Sequence, residues 1–353
     1  MFRPKYRITD KLLANIKRIN SLVNELNNKR FPNVVLLELE RSAREVSSYA
    51  STSIEGNPLP LTEVKKILKT KPSHIRDSEK EVLNYNQALQ DLNKMLAAGS
   101  VKLSLNLILK IQEQVVQGLL PKFETGKFRE KPVVINDPRT GQPVYLPPDA
   151  KDVKPLMEDL VVFTNNNRDK IDPLILAGIF HKQMVIIHPF MDGNGRTTRL
   201  VTKVLLAAMG LNTFNLFSFE NYYNKNVTRY FQTVGEFGNY YDLLNLPAGR
   251  QVDFTNWLEY FTEGIIDELL RIQKMLPEVS MSPETQLQAY HIKILDYIRE
   301  KGFITDQDYA KLTDRAKATR ALDFQKLIGL GLIERKGKGR ATYYVLAQAH
   351  HAY

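Results

Sequence analysis

Along most of the chain, apolar residues recur every three or four positions, which is the spacing of helices that bury one face. The stretch 35–54 shows the pattern clearly and ends at Gly56-Asn57-Pro58, a set of strong helix stop signals. The pattern predicts a fold that is mainly α. Further helices are predicted within "NPLPLTEVKKIL" and at 8–30, 79–97, 101–119, 151–167, 173–187, 194–209, 220–236 and 253–277.

Between residues 121 and 149 the helical spacing is lost, and short β-type runs take its place. The runs Val133–Ile135 and Val144–Leu146 flank the turn-rich segment "NDPRTGQP". This order of strand, turn and strand predicts a β-hairpin between the helices.

The last part of the chain has an organisation of its own. The segment "MLPEVSMSPE" at 275–284 reads as a linker, and a helix is predicted after it at 285–300. Two further short helices and two short strands around "KGKGR" follow. We therefore expect a small α+β domain at the end of the chain.

Composition narrows the class of protein. The 353 residues suffice for two domains, and the lack of cysteine excludes disulfides, thiolate zinc sites and cysteine nucleophiles. No stretch approaches the ~20 apolar residues of a membrane span, and the start "MFRPKYRITDKLL" lacks the apolar core of a signal peptide. We therefore expect a cytoplasmic protein without a membrane partner.

The net charge of +10 is unevenly distributed, because residues 285–353 contain twelve Lys and Arg against seven Asp and Glu. A basic end is typical of nucleic-acid binding, but an ordinary soluble surface can have the same composition. DNA is therefore a candidate partner, but the charge alone does not distinguish DNA binding from an ordinary soluble surface.

The segment "HPFMDGNGRTTRLVTKVLLAAMG", residues 188–210, concentrates most of the candidate chemistry. The turn Asp192–Gly195 is rich in residues that accept positive φ, and it leads into an apolar helix. Glycines ahead of a helix leave backbone N–H groups bare at its positive end, which makes an anion site.

Arg196 and Arg199 fall in the first turns of that helix, on one face, where the helix dipole disfavours cations. Two guanidiniums beside bare amides suit a di- or triphosphate, and Asp192 could hold Mg²⁺ next to it. His188 is near enough to act as a general base, with an ordinary pKa of ~6.5. A plain turn with solvated arginines would use the same residue types, and the residues do not name a reaction.

A second anomaly lies at the end of the helix predicted at 35–54. Glu55 stands at a helix C-terminus, whose partial negative charge disfavours a carboxylate by roughly 0.3–1 kcal/mol. A solvated surface glutamate tolerates that position, whereas a cationic partner elsewhere in the chain would explain it. Both interpretations stay open at this point.

The stretch "HPFMDGNGRTTR" resembles the signature of Fic-domain proteins, His-x-Phe-x-Asp/Glu-Gly-Asn-Gly-Arg-x-x-Arg, at every fixed position. The stretches "GKFRE", "VVI" and "VYLPP" resemble the family's flap hairpin, and "FHKQMVIIHPF" resembles the helix before its motif. The resemblance covers roughly residues 35–270, and the tail resembles a winged helix, which several Fic proteins append. It implies a Fic-type helical core with a β-hairpin flap, plus a small C-terminal winged helix-turn-helix domain.

The same resemblance implies an organisation in four parts. They are an N-terminal helical region at 1–110 with an inhibitory helix at about 36–55, a catalytic core at 111–274 with its flap at 128–148, the linker at 275–284 and the winged-helix domain at 285–353.

Fic enzymes transfer AMP from ATP to a hydroxyl group of a target protein and release pyrophosphate. The resemblance implies that His188 deprotonates the target Tyr, Ser or Thr and that Asp192 holds Mg²⁺ at the phosphates. It assigns Arg196 and Arg199 to the β- and γ-phosphates. The other nucleotide-binding residues that it implies are Gly193, Asn194, Gly195, Thr197 and Thr198 around the phosphates, with Asn226 and Tyr230 at the adenine.

Two of these assignments are less specific. The flap, around Val133–Ile135 and Tyr145, would align the target segment by strand addition. The segment "NVTRYF", which contains Asn226 and Tyr230, has no strict motif, and a role in the core fits Tyr230 equally well.

Many Fic proteins carry an inhibitory helix with the pattern Ser/Thr-x-x-x-Glu-Gly/Asn, and Ser51 through Gly56 fits it. The pattern implies a salt bridge from Glu55 to Arg199, a charge-assisted bond on the order of 1.5–3 kcal/mol. While this bond exists, Arg199 cannot hold the γ-phosphate, so ATP binds unproductively. The sequence therefore predicts an autoinhibited protein adenylyltransferase that uses ATP and Mg²⁺ and that could also modify itself.

Other classes stay open. The tail could bind DNA through 285–345, with Lys311–Arg320 in a recognition helix and "RKGKGR" as the wing, leaving the Fic part as a ligand sensor. A Fic enzyme could instead move UMP, phosphocholine or a phosphate, or remove AMP with Glu55 orienting a water. The chain has neither a Gly-x4-Gly-Lys-Ser/Thr loop nor a His-Glu-x-x-His motif, so we expect no P-loop and no structural metal. No motif reveals the target protein or whether the chain forms a homodimer.

Overall fold

The structure is a computed structural model that divides into two compact units, which consist of residues 1–27 with 43–271 and residues 28–42 with 272–353. It describes residues 2–28, 33–70, 75–99, 101–136, 140–208, 210–211, 218–244, 252–280 and 287–347. Within these ranges no helix has the length and apolar character needed to cross a membrane.

Helices make up most of the first unit, which confirms the mainly α prediction. Their bounds are α1 Asp10–Asn27, α2 Asn33–Ile54, α3 Leu61–Thr70, α4 Asp77–Ala97, α5 Leu105–Val115, α6 Ala150–Asn166, α7 Pro173–Ile187, α8 Asn194–Ala208, α9 Glu220–Lys225, α10 Val227–Val234, α11 Tyr240–Leu244 and α12 Thr255–Ser280. Helices α2 and α12 each contribute residues to both units.

Two helices differ from the expected pattern. The helix predicted at 220–236 is two helices, because Asn226 interrupts it and caps α10 by accepting a hydrogen bond from the Arg229 N–H at 3.0 Å. The short helix α11 was not predicted, since five residues are too few to show a periodicity.

Helix α7 is buried around its whole circumference, since all its residues except Pro173 and Val185 are buried, including the polar His181, Lys182 and Gln183. Helices α6 and α8 pack against it, and α4 and α5 pack against α8. Position 178 of α7 requires glycine, because a Cβ there would lie only 2.6 Å from Cδ2 of Leu258. This arrangement holds the junction of α7 and α8 in a rigid helical frame.

The predicted hairpin is present as β1, Ile135–Asn136, and β2, Pro143–Leu146, which pair antiparallel. Residues 137–139 of the turn lie outside the described ranges. A third strand that the sequence did not predict, β3 at Gly238–Asn239, pairs parallel with β2, so that Tyr145 lies opposite Gly238. The sheet order is β1-β2-β3, which leaves β1 as one edge.

The second unit contains α13 Ala289–Lys301, α14 Asp306–Leu312, α15 Lys317–Gly329 and the antiparallel strands β4 Ile333–Lys336 and β5 Tyr343–Leu346. These elements follow the order expected from the sequence, with a core that includes Ile294, Ile298, Tyr309, Phe324, Leu327 and Ile333. The winged-helix assignment itself stays a prediction. Helix α12 continues to Ser280, so the first six residues of the predicted linker are helical, and 281–284 lie outside the described part.

Candidate active site

The candidate site begins where α7 ends at His188. This residue is the C-cap of α7, and its N–H donates to the Met184 carbonyl at 3.0 Å. Its backbone is left-handed, with φ 51° and ψ 62°, and among the described non-glycine residues it alone has a positive φ. Such strained positions concentrate at functional sites, because only a rigid surrounding structure maintains them.

Hydrogen bonds inside the loop fix its path from α7 to α8. The Asn194 side chain accepts from the Phe190 N–H at 2.9 Å and donates to the Phe190 carbonyl at 2.8 Å. Asp192 Oδ1 accepts from the N–H of Gly193 at 2.6 Å. Because the Asn194 amide is used within the loop, this residue can offer an anion its backbone N–H but not its side chain.

Arg129 was missed by the sequence analysis, although "GKFRE" was noted as part of the flap. Its guanidinium is buried and donates to three carbonyls, those of His188 at 2.8 Å, Lys131 at 3.1 Å and Pro148. Its backbone N–H also donates to the Pro189 carbonyl at 3.0 Å. Arg129 therefore ties the flap to the strained loop, and no local sequence signal reports contacts across about 60 residues.

The ring of His188 is partly exposed, but the protein around it disfavours the charged form. Burial lowers the pKa of His188 to about 4, against smaller opposing effects that include the Glu55 carboxylate. The imidazole is therefore neutral at physiological pH, and one ring nitrogen is able to accept a proton.

Arg199, on α8, is fully buried and its donors point at the end of α2. Its Nη2 donates to Glu55 Oε1 at 2.7 Å and to the Ser51 carbonyl at 2.8 Å, and its Nε donates to Ser51 Oγ at 2.8 Å. Burial is the largest single effect and lowers the pKa of Arg199, but the Glu55 carboxylate, with smaller contributions from Tyr230 and Tyr85, raises it overall. Two anomalies of the sequence, a carboxylate at a helix C-terminus and an arginine near a helix N-terminus, thus lie in contact.

The turn at the C-terminus of α2 positions Glu55 next to Arg199. The Gly56 N–H donates to the Ser53 carbonyl at 3.0 Å, and the Asn57 N–H donates to the Thr52 carbonyl at 3.2 Å, which is the Schellman pattern. Gly56 has φ 93°, as that pattern requires. Gly195 supplies the necessary space on α8, because a Cβ there would collide with Glu55 Oε1.

Arg196 has partners different from those of Arg199. Its Nη2 donates to both oxygens of Asp192 at 2.9 Å, and its Nη1 lies 2.5 Å from Glu81 Oε1 on α4. The Glu81 contact is an ion pair outside hydrogen-bond geometry, and Arg196 Nε and Nη1 are buried without a hydrogen bond among the described residues. Glu81 is the second site residue that the sequence analysis missed.

The first turn of α8 has the donors that an anion requires. The first intrahelical bond runs from the Thr197 N–H to the Gly193 carbonyl at 2.9 Å, so the preceding N–H groups have no helical acceptor. Thr197 Oγ1 is buried without a described partner, whereas Thr198 Oγ1 donates to the Asn194 carbonyl at 2.7 Å. These bare donors, the two arginines and Asp192 fit a polyphosphate with Mg²⁺, because Mg²⁺ usually takes one or two carboxylates together with phosphate oxygens.

Tyr230 lies in the aromatic core next to the site. Its ring stacks on Tyr223 with centroids 4.8 Å apart, and its hydroxyl lies 3.1 Å from His181 Nε2 and 3.5 Å from Arg199 Nη1. It is almost fully buried, which favours the alternative of a core role over contact with adenine. Asn226 uses its side-chain oxygen to cap α10.

Two residues of the flap, Tyr145 and Val134, differ in exposure. Tyr145 is buried and its hydroxyl donates to the Ile186 carbonyl at 3.2 Å, which anchors β2 on α7. Val134, beside the edge strand β1, is half exposed. Tyr145 therefore supports the flap, and the surface available to another strand lies on the β1 side.

Comparisons with known proteins identify the family that part of this chain resembles. Residues 102–206 match the sequence model of the Fic/DOC family. The chain is 30% identical over 217 residues to Protein adenylyltransferase Fic of Aedes aegypti, an alignment that covers 56% of this chain and 42% of that protein. Protein adenylyltransferase Fic of Nematostella vectensis is 29% identical over 181 residues, or 49% of this chain and 40% of that protein. The chain thus spans less than half the length of these curated relatives.

Solved structures share the fold at lower sequence identity. A Fic family protein from Desulfovibrio desulfuricans G20 is 22% identical with a TM-score of 0.64, covering 98% of this chain and 99% of that chain. Fic-1 from C. elegans is 24% identical with a TM-score of 0.57, covering 76% and 73%. The chain therefore contains a Fic domain at 102–206, and the resemblance noted from its motif is confirmed.

Proposed function

We propose that the chain is an autoinhibited protein adenylyltransferase, which transfers AMP from ATP to a Tyr, Ser or Thr hydroxyl of a target protein. The observation that carries the proposal is the contact between the buried Arg199 and the partly exposed Glu55, within a complete Fic motif. The curated relatives named protein adenylyltransferase support the same class of reaction.

In the proposed reaction, neutral His188 takes the proton of the target hydroxyl. The hydroxyl oxygen then forms a bond to the α-phosphorus of ATP, while the bond between that phosphorus and the α–β bridging oxygen breaks. Pyrophosphate leaves with the electron pair of the broken bond. The strained backbone of His188 and its Arg129 contact hold the imidazole at the loop, so the base is positioned before substrate arrives.

The phosphates would be held by the first turn of α8. The bare N–H groups around Gly195, with Thr197 and the two arginines, offer donors to the β- and γ-phosphates. Gly193 and Asn194 would offer backbone N–H groups to the phosphates. Thr198 would stabilise the same turn, since its hydroxyl donates to the Asn194 carbonyl. Mg²⁺, when bound, would neutralise phosphate charge, and Asp192 is the side chain that would hold it. In that state Asp192 would give up its contact with Arg196 to hold the cation.

Autoinhibition follows from competition for Arg199. The charge-assisted bond to Glu55 contributes on the order of 1.5–3 kcal/mol, and the Ser51 contacts add to it. A γ-phosphate would have to displace the Glu55 carboxylate, which is of the same charge. We propose that ATP is then held in a pose unsuited to transfer, and that displacement of α2 relieves the block.

The target segment would add to the edge of the flap beside β1, where Val134 is exposed. Asn226 is proposed to border the adenine. Tyr230, as a buried neighbour of Arg199, is proposed to act through that arginine rather than on the base.

The test is incubation of wild type, Glu55→Gly and His188→Ala with labelled ATP, GTP, UTP or CTP and Mg²⁺, followed by mass spectrometry of the chain and of added lysate proteins. We expect Glu55→Gly to raise AMP labelling, self-labelling included, and His188→Ala to abolish it. Glu79→Gln, which alters an ion pair with Arg76 away from the motif, is the matched control. Transfer of another group would replace AMP in the proposal, and no labelling by Glu55→Gly would remove the inhibitory assignment.

DNA binding by the second unit receives less support. Arg315 is paired with Asp323, and Arg320 makes two parallel hydrogen bonds to Asp306 at 2.9 Å, so both guanidiniums already have a carboxylate partner. The exposed face of α15 includes Leu322 and Ile328, which suit a protein contact better than a groove of DNA. We therefore propose no DNA partner for this unit.

A further inference from the structure

Glu81, on α4, joins two segments that the motif does not connect. Its Oε1 lies 2.5 Å from Arg196 Nη1, and its Oε2 accepts a hydrogen bond from Asn57 Nδ2 at 2.6 Å. The side chain is largely buried, with 16% of it exposed. Asn57 follows Glu55 by two residues, so one carboxylate links the turn after the inhibitory helix to a phosphate-binding arginine.

The position of Asn57 is itself fixed. Its Nδ2 also donates to the Ser78 carbonyl at 2.8 Å, and its Oδ1 accepts from the Leu59 N–H at 3.1 Å. With both ends of the amide used, Glu81 Oε2 has a stationary donor. The carboxylate is therefore oriented before any ligand arrives.

Arg196 needs a permanent counter-ion because its side chain is only 4% exposed. A buried guanidinium without a carboxylate has a large desolvation penalty. Asp192 cannot serve in the loaded site, since it would turn to Mg²⁺, and its side chain is 48% exposed at the mouth of the site. Glu81 lies on a different helix and makes no contact that the metal would replace.

We propose that Glu81 is a positioning residue for phosphate binding: it neutralises and orients Arg196 when Asp192 moves to Mg²⁺, and Asn57 orients Glu81. The inference rests on the proposed function and assigns the 55–57 turn a double role. Glu55 opposes the nucleotide at Arg199, while Asn57 supports it at Arg196 through Glu81. Displacement of the whole turn would then differ from removal of the Glu55 carboxylate alone.

The test compares MgATP binding by calorimetry and AMP-transfer kinetics in three full-length variants: Glu55→Gly, Glu55→Gly with Glu81→Gln, and Glu55→Gly with Glu79→Gln. Gln keeps an acceptor for Asn57 but removes the charge. We expect the Glu81 variant to raise the Kd of MgATP about tenfold or more, and to raise KM for ATP more than it lowers kcat. The Glu79 variant, altered on the same helix, should bind within about twofold of Glu55→Gly.

Two further variants separate positioning from a structural role. Glu81→Asp keeps the charge and should recover part of the affinity lost with Gln, whereas a role in packing alone predicts the opposite order, because Gln has the size of Glu and Asp is one methylene shorter. Asn57→Ala in the Glu55→Gly background should weaken MgATP binding less than Glu81→Gln does. Circular dichroism confirms that each variant is folded, and a Gln variant that does not fold leaves Glu81→Asp and Asn57→Ala to decide.

The outcomes distinguish this inference from the proposed function. Tight MgATP binding by Glu55→Gly without any transfer would remove the proposed function, while the Kd ratio would still decide the role of Glu81. Equal Kd values with Gln and Glu at position 81 would overturn the positioning role and leave the proposed function intact. Absence of MgATP binding by Glu55→Gly would overturn both.

Discussion

Each unit contains a pair of arginines held by carboxylates, and the two pairs differ in how replaceable those carboxylates are. In the first unit, Arg199 pairs with Glu55, which is 28% exposed and whose own helix ends there. In the second unit, Arg315 pairs with Asp323, which is almost fully buried and also accepts from the Tyr309 hydroxyl at 2.8 Å. An exposed counter-ion can exchange for a ligand, whereas a buried and fully bonded one belongs to the framework.

The surroundings of the two pairs differ in the same direction. Around Arg196 and Thr197, several buried donors make no hydrogen bond among the described residues, although Arg196 Nη1 is ion-paired with Glu81. Arg315, in contrast, stacks on the Tyr290 ring at 3.7 Å and donates to both oxygens of Asp323. Unused donors next to a paired arginine therefore separate a ligand site from a structural ion pair better than the ion pair itself does.

The largest expected effect tests the exchangeable pair. Glu55→Gly should raise the rate of AMP transfer by about 10–150-fold, the equivalent of a charge-assisted bond of about 1.5–3 kcal/mol. Initial rates of labelling measure it. Asp306→Asn, which alters the corresponding carboxylate of Arg320, should leave the rate unchanged, and an equal gain from both variants would erase the contrast between the units.

The ion pair of Arg315 and Asp323 should affect the stability of the second unit rather than the rate of AMP transfer. Asp323→Asn removes the charge of a buried carboxylate that binds Tyr309 and Arg315, and we expect a loss of about 1–3 kcal/mol in the second unit. Calorimetric melting of the full chain in the Glu55→Gly background measures it, beside labelling rates. An unchanged melting temperature, whatever the labelling rate, would show that Asp323 does not stabilise the second unit.

The pH dependence tests the base that the site holds neutral. Because burial lowers the pKa of His188 to about 4, its proton-accepting form persists well below pH 6.5. An ordinary imidazole would be only about one-tenth neutral at pH 5.5, so we expect Glu55→Gly to retain most of its single-turnover rate there. A rate that falls with a midpoint near pH 6.5 would refute the lowered pKa.

The same shift makes a statement about stability. Because the pKa of His188 is lower in the folded chain than in the unfolded chain, the unfolded chain binds a proton first as the pH falls, and this favours unfolding. The contribution of His188 is therefore fully present above about pH 6.5 and is lost progressively toward pH 4. His181, buried between Thr202 and Tyr230, has its pKa lowered by burial as well, so it acts in the same direction.

The smallest expected effect concerns Arg320. The side chain of its partner Asp306 is 39% exposed, against 5% for Asp323, so we expect this pair to contribute less to stability. Arg320→Ala should lower the melting temperature less than Asp323→Asn does and should leave AMP transfer unchanged. A larger loss of stability than with Asp323→Asn would place the framework of the second unit at Arg320 instead.

The helices and the motif were predictable because each depends on residues that are close together in the sequence. Helical periodicity placed α2, α4, α6, α7 and α8 within a few residues, and the spacing of Asp192, Arg196 and Arg199 marked an anion site. The break at Asn226 and the strand β3 were missed, since a cap and a two-residue strand depend on neighbours that periodicity does not report. Arg129 and Glu81 were missed for a related reason, because each acts on residues far away in sequence.

By itself, the sequence determined which side chains this protein can use: a histidine before a glycine-rich turn, two arginines one helical turn apart, and a glutamate at a helix end of the same sign. Tertiary structure decided how they are paired, with Glu55 on Arg199 and Glu81 on Arg196. It also keeps the His188 imidazole neutral at physiological pH, because burial lowers its pKa. Local spacing records which groups a segment offers, whereas ion pairing and desolvation depend on distances and solvent exclusion that exist only once distant helices have packed together.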